Sequence, residues 1–200
     1  MLVCDEVMCG FGRTGKMFAF EHYDVVPDIV CMAKGLTSSY VPLGAMAVRR
    51  PIAEHFRHNV FWGGLTYNSH PLGLAAAEAV IDVIEEEDLV NNAARLGAVM
   101  RGEMDMLRDR HPCVKTGRCL GLFGMVDLQR DAEGTPLAAY NTSHPAMKAF
   151  GRRLLDTGLF TFTRWGSFMC NPPLTITHEQ LREGFGIIDR ALGLVDDAIG

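Results

Sequence analysis

Two charged residues, Asp5 and Lys34, each follow a short apolar segment and could do chemistry together. Asp5 ends the run "MLVC", and Lys34 ends "DIVCMA" just before the small residues of "GLTSS". An amine in apolar surroundings is a nucleophile that can form a Schiff base, and a carboxylate can hold a protonated ring nitrogen. If the two segments are parallel strands, both side chains reach the carboxyl edge of one sheet, where open α/β sheets bind ligands. Taken singly, a lysine extending to solvent and a loop-capping aspartate remain the alternatives.

The pattern of elements around these residues predicts two domains. Residues 1–90 form an α/β segment, with strands in "MLVCDEV", "DIVCMA" and "LGAMAVR" and a helix that opens at Pro71. A helical stripe over about 91–110 predicts a linking helix, and residues 91–200 predict an α+β domain. Because the chain opens within an apolar strand, we expect it to be part of a longer protein.

The second half of the chain combines strand and helix signals. Strands are expected in "VKTGRCLGLFGMVDLQ", "LFTFTR" and "SFMC", and a helix is expected to end at Gly158. Thr177 with Gln180 three residues later is a capping box for a final helix. That helix carries one apolar stripe, made of Leu181, Phe185, Ile188 and Leu192.

Composition excludes several classes of function. The net charge is −5 without a basic block, so a nucleic-acid partner is not expected. Charges such as Glu78 and Asp82 interrupt the longest apolar run, so no membrane span is expected. Six cysteines without a CxxC pair predict reduced thiols and a cytoplasmic location. No metal is expected, since the spacing of His111, Cys113 and Cys119 fits no usual zinc ligand set.

Three stretches carry a resemblance to a known family. They are "LVCDEVMCGFGRTGKMFAFEHYDVVPDIVCMAKGLTSSYVPLGAMAV", "GGLTYNSHPLGLAAAEAV" and "GLFTFTRWGSFMCNPPLTITHEQLREGFGIIDRAL". Together they resemble the class III, or omega, aminotransferases of the fold type I pyridoxal-phosphate superfamily. The resemblance covers essentially the whole chain but only the C-terminal half of a family member. It implies the end of the large, mainly parallel-sheet domain followed by the small α+β domain.

The resemblance also implies roles for individual residues. Lys34 would form the Schiff base with pyridoxal 5′-phosphate, Asp5 would bind the pyridine nitrogen, and Val7 would pack against one face of the ring. Thr66 would bind the cofactor phosphate of a neighbouring subunit, which implies a homodimer with a shared active site. Arg164, in "TRWGS", is a candidate for recognising a carboxylate or sulfonate through its planar donors, with a surface ion pair as the alternative.

The implied activity is transfer of an amino group from an omega-amino acid or related amine to a 2-oxo acid such as pyruvate. The narrower likeness is to taurine–pyruvate-like members. An aminomutase or racemase of the same family and a catalytically inactive fragment are the alternatives. The glycines of "GFGRTG" do not meet a nucleotide-loop pattern, and His70 before Pro71 is expected to be a loop or cap histidine.

Overall fold

A computed structural model describes residues 1–199 as two compact units. The first unit spans Met1–Ala93, and the second begins at Ala94. Most of the buried apolar side chains belong to the second unit, which holds 22 of the 28 among the described residues. The first unit therefore has the smaller core, and we expect its local stability to be the lower of the two. The domain limits at residue 90 stay a prediction.

The first unit is built on a three-stranded sheet in the order β1-β2-β3. The strands are β1 (Val3–Asp5), β2 (Ile29–Met32) and β3 (Ala45–Val48). β1 and β2 are parallel, with Asp5 opposite Cys31, which confirms the arrangement that the two apolar runs require. β3 pairs with β2 in the antiparallel direction.

Three helices accompany this sheet in sequence: α1 (Arg50–His55), α2 (Pro71–Glu86) and α3 (Leu89–Arg110). Pro71 opens α2, where its missing N–H costs no hydrogen bond. The Nδ1 atom of His70 accepts a hydrogen bond from the Leu72 amide at 3.2 Å, so His70 is an N-cap residue as predicted. The division between the two units falls within α3.

The second unit contains an antiparallel sheet in the order β4-β5-β7-β6. Its strands are β4 (Val114–Leu120), β5 (Phe123–Leu128), β6 (Thr163–Arg164) and β7 (Ser167–Cys170). Burial alternates along β5 and β7, so one face of the sheet lies in the core and the other is partly exposed. The strand predicted in "LFTFTR" is wrong in its first four residues, because only Thr163 and Arg164 pair with β7.

Helices α4 (Pro145–Asp156) and α5 (His178–Ile199) complete the second unit and pack on each other. Gly158 follows α4 with a φ of 88°, the left-handed conformation that favours glycine there. The Thr177 amide donates to Gln180 Oε1 at 3.0 Å and the Gln180 amide donates to Thr177 Oγ1 at 3.2 Å, which confirms the capping box. The predicted apolar stripe of α5 is buried throughout.

A buried histidine ties the end of α3 to α5. His111 Nδ1 lies 2.6 Å from Asp196 Oδ2, and His111 Nε2 lies 3.0 Å from Asp189 Oδ1. The Cys113 amide donates to the second oxygen of Asp196 at 3.0 Å. These contacts give His111 a structural role. All six cysteines are free thiols, and none of the helices described is long and apolar enough to cross a membrane.

Candidate cofactor site

Asp5 and Lys34 lie at the same edge of the first sheet. Asp5 is the last residue of β1 and pairs in register with Cys31 of β2, and Lys34 follows the end of β2 by two residues. Neighbouring strands are about 4.8 Å apart, and these two run in parallel, so both charged residues leave the sheet at its carboxyl edge. The structure therefore brings together the two residues that were predicted to act together.

The Asp5 carboxylate is oriented by the turn that follows β1. Its Oδ1 atom accepts a hydrogen bond from the Val7 amide at 3.1 Å. The Asp5 side chain is exposed and Val7 is half-buried. One carboxylate oxygen is thus held by the chain's own backbone, while the group as a whole stays accessible to a ligand.

Lys34 has an unusual backbone conformation. Its φ of 45° lies in the left-handed region, which few residues other than glycine adopt, and strained backbone of this kind clusters at functional sites. Lys34 begins a short 3₁₀ turn, Lys34–Leu36, anchored by the buried Leu36 and Thr37. The Thr37 hydroxyl donates to the Val41 carbonyl at 2.7 Å. The strained position is therefore held by buried neighbours.

The surroundings of the Lys34 amine differ from the sequence prediction. Apolar surroundings were expected, but the Lys34 side chain is exposed. Strand β2 is only half-buried along its length, so the residues of the first unit do not enclose the amine. Any desolvation of Lys34 must come from a ligand or from other chain segments.

Gly35 is required for the loop "GFGRTG" to approach Lys34. A Cβ atom on Gly35 would lie 3.0 Å from the Cβ of Phe11, which is buried and has a φ of 58°. Phe11 also contacts Phe18 edge to face, with ring centroids 5.4 Å apart. The glycine-rich loop therefore packs the Phe11 side chain against Gly35 in the turn that carries Lys34, which gives the loop a supporting role.

Sequence reasoning missed Glu6, the buried carboxylate beside Asp5. Its side chain is only 3% exposed. Its two carboxylate oxygens accept hydrogen bonds from the Ala19 amide at 3.0 Å and the Phe20 amide at 2.9 Å. The Glu6 amide in turn donates to the Cys31 carbonyl at 2.9 Å. Glu6 thus joins the end of β1, the 3₁₀ turn Ala19–Tyr23 and the end of β2.

A thiol near this edge is unsuited to act as a nucleophile. Burial raises the pKa of the Cys9 thiol, and the carboxylates of Glu6 and Asp5 raise it further. A thiol with a raised pKa forms little of the reactive thiolate at neutral pH. Cys9 therefore does not compete with Lys34 for an electrophilic carbonyl.

Thr66 and Arg164 lie apart in the sequence from the edge that carries Asp5 and Lys34. Thr66 occupies an exposed turn within a stretch whose side chains, Val60 to Tyr67, are all exposed. Arg164 belongs to the second unit, at the end of β6, and its guanidinium carbon lies 4.5 Å from the centre of the Trp165 ring. The phosphate-binding role of Thr66 and the substrate-binding role of Arg164 stay predictions.

Comparison with known proteins assigns the family. The family model described as aminotransferase class-III matches residues 1–192. This chain belongs to the class III aminotransferase family. The match spans the edge with Asp5 and Lys34 as well as most of the second unit, so the fold is the C-terminal part of a fold type I pyridoxal-phosphate transferase.

Individual relatives illustrate the likeness. The structure of taurine:2-oxoglutarate aminotransferase from Bifidobacterium kashiwanohense, in complex with PLP and glutamate, is 37% identical with a TM-score of 0.96, and the match covers 100% of this chain and 45% of that one. The omega-aminotransferase of Caulobacter vibrioides is 35% identical over 98% of this chain and 44% of that protein. The leucine/methionine racemase of Thermococcus litoralis is 34% identical over 98% of this chain and 43% of that protein. The chain thus spans less than half the length of these relatives.

Proposed function

We propose that this chain carries the cofactor lysine and the C-terminal part of a pyridoxal-phosphate-dependent aminotransferase. The proposed reaction moves an amino group from an omega-amino acid or related amine to a 2-oxo acid such as pyruvate. The observation that carries the proposal is the position of Asp5 and Lys34 at the same carboxyl edge of β1 and β2. Membership of the class III family supports the cofactor and the reaction type.

The residues at this edge fit the chemistry of pyridoxal phosphate. Lys34 supplies an accessible primary amine for the cofactor aldehyde, and Asp5 supplies an accessible carboxylate held by the Val7 amide. When bound, the protonated pyridine ring accepts the electron pair that remains when a proton leaves the substrate carbon. Asp5 would keep the ring nitrogen protonated through charge pairing. Lys34 Nζ would take that proton from the substrate carbon and deliver it to the carbon that carries the cofactor aldehyde.

Further roles extend the proposal to a second subunit and to the substrate. Val7 would cover one face of the pyridine ring and exclude water from it. The hydroxyl of Thr66 would donate to the cofactor phosphate of a neighbouring subunit, which makes the proposed enzyme a homodimer. The exposure of the stretch around Thr66 is compatible with a contact to a partner. Arg164 would bind the carboxylate or sulfonate of an acidic substrate.

A racemase is the second candidate function, favoured by the likeness to the leucine/methionine racemase. Both reactions begin with the same proton transfer at Lys34, but only transamination consumes a 2-oxo acid. Repeated interconversion of the two enantiomers of a chiral amino acid, with no 2-oxo acid added or consumed, would favour racemisation.

The decisive experiment is labelling of Lys34 in the 200-residue chain. The purified chain is mixed with pyridoxal phosphate, reduced with borohydride and mapped by peptide mass spectrometry. We expect the label on Lys34 in preference to the other lysines, Lys16, Lys115 and Lys148. Its selectivity follows from the Asp5 carboxylate and the strained turn beside it.

Three variants accompany this experiment. Lys34→Arg should lose the label, while Lys16→Arg, which alters an exposed lysine of the neighbouring loop, should keep it. Asp5→Ala should keep the label on Lys34 but slow the single-turnover reaction of the loaded chain with taurine. Equal labelling of all four lysines, or turnover that survives loss of Lys34, would contradict the proposal. Absence of any label would support the alternative of a fragment that is inactive alone.

A further inference from the structure

Three side chains lie together at the hairpin between β6 and β7, where Arg164 and Trp165 form a stack. The guanidinium carbon of Arg164 lies 4.5 Å from the centre of the Trp165 ring, a cation–π distance. The Trp165 ring in turn contacts Tyr140, with ring centroids 4.4 Å apart. Arg164 and Tyr140 are exposed, and Trp165 is half-buried. The Trp165 ring therefore covers one face of the guanidinium and leaves the group open to solvent.

The carboxylate nearest to Arg164 in the strand ladder is already engaged. Arg164 pairs in register with Ser167, and Ser167 pairs with Asp127 of β5. Asp127 accepts a hydrogen bond from the Ser167 hydroxyl at 2.7 Å and forms an ion pair with Arg118 at 2.9 Å. Within residues 1–199, Arg164 itself forms no ion pair. Its N–H groups are thus available to an external oxyanion, against the alternative of a surface ion pair.

The turn that carries Trp165 is fixed by its neighbours. Trp165 has a φ of 54°, which is rare for a bulky residue and requires support from the surrounding structure. A Cβ atom on Gly166 would lie 3.1 Å from the Ala138 amide nitrogen, so the next residue is pressed against the chain. The Gly166 carbonyl also accepts a hydrogen bond from the Leu128 amide at 2.7 Å. The backbone that carries the indole ring is therefore fixed at the hairpin.

We propose that Trp165, backed by Tyr140, is a positioning residue that presents the Arg164 guanidinium to the acidic group of the substrate. This inference rests on the substrate role of Arg164 in the proposed function. A guanidinium stacked on an aromatic face loses conformational freedom, while its in-plane N–H donors still match two oxygens of a carboxylate or sulfonate. The stack thereby favours acidic amines and 2-oxo acids over uncharged ones.

The test follows the Nε–H resonance of Arg164 by NMR in the 200-residue chain, without cofactor. Propane-1-sulfonate serves as the probe and n-propanol as its neutral counterpart. The resonance is assigned by its loss in Arg164→Lys, and Arg152 is the control because it is exposed but paired with Asp156. We expect a saturable shift at Arg164 with the sulfonate, no shift with the alcohol, and little change at Arg152.

Variants of Trp165 separate positioning from turn structure. Trp165→Asn removes the ring but suits the positive φ, since asparagine adopts that conformation readily. It should raise the Kd for the sulfonate about twofold to fivefold, the loss expected for an exposed cation–π contact. Trp165→Tyr restores an aromatic face and should recover most of the affinity. Tyr140→Ala should weaken binding by a smaller factor.

Two results would overturn the inference. One is the absence of a saturable shift at Arg164 in the unchanged chain. The other is an unchanged Kd in Trp165→Asn, which would make the stack irrelevant to anion binding. Since no cofactor is added, the outcome of the Lys34 labelling experiment does not affect this result, and the two proposals can fail separately.

Discussion

Replacing Glu6 by glutamine should loosen the 3₁₀ turn Ala19–Tyr23, which follows the loop that supports Lys34. The buried Glu6 carboxylate accepts the amides of Ala19 and Phe20, one on each oxygen. A glutamine side chain has one carbonyl oxygen and one NH₂ group, so it can accept only one of these amides. The other amide N–H would then face the NH₂ group of the glutamine, which is also a donor, in a buried position.

The magnitude follows from the two hydrogen bonds. Bonds to a charged acceptor contribute about 1.5–3 kcal/mol each, against about 0.5–1.5 kcal/mol for neutral pairs. Losing one acceptor and neutralising the other should lower the free energy of local opening by about 2 kcal/mol or more. Since about 1.4 kcal/mol corresponds to a factor of ten, hydrogen exchange at Ala19 and Phe20 should accelerate roughly 30-fold.

Amide hydrogen exchange measured by NMR checks this expectation directly. The matched control is Glu21→Gln in the same loop, where an exposed carboxylate accepts the Phe18 amide at 2.7 Å. Because that bond is exposed to water, the control should change exchange by no more than about threefold. Equal exchange at Ala19 in Glu6→Gln and in the unchanged chain would refute the role assigned to the buried carboxylate.

Two further predictions concern the second unit. Gly97→Ala should destabilise it by about 1–3 kcal/mol in thermal unfolding, because the new Cβ would lie 2.6 Å from backbone of the β4–β5 turn. Gly102→Ala, in the same helix with nothing within 4 Å, should be neutral or stabilising. Although burial alone raises the pKa values of Asp189 and Asp196, hydrogen bonds from neighbours including His111 bring both below the ordinary 3.8. The stability that these two carboxylates contribute should therefore be present above that pH and lost below it. We expect the urea midpoint of unfolding to fall between about pH 5 and about pH 3, and the fall to be smaller in His111→Asn.

Local sequence patterns predicted the parts of the fold that depend on near neighbours. The apolar runs before Asp5 and Lys34 correctly indicated two strands, and their parallel pairing meets the condition for a common edge. The Thr177–Gln180 pair indicated a capping box because both partners lie three residues apart. The run before Arg164 predicted a strand that is too long, since an apolar pattern does not show whether a partner strand exists for every residue.

The features that sequence reasoning missed depend on partners far along the chain. Glu6 is buried because the loop returns to it 13 and 14 residues later, and no spacing rule marks that contact. Its residue type pointed the other way, since a glutamate after the end of an apolar strand is expected to lie in solvent. The exposure of Lys34 was missed for the converse reason: a strand of apolar residues is fully enclosed only if other segments cover both faces of its sheet. The strained backbone of Lys34 is therefore a local feature of the chain. The polarity around its amine depends on the segment or ligand that covers this edge of the sheet.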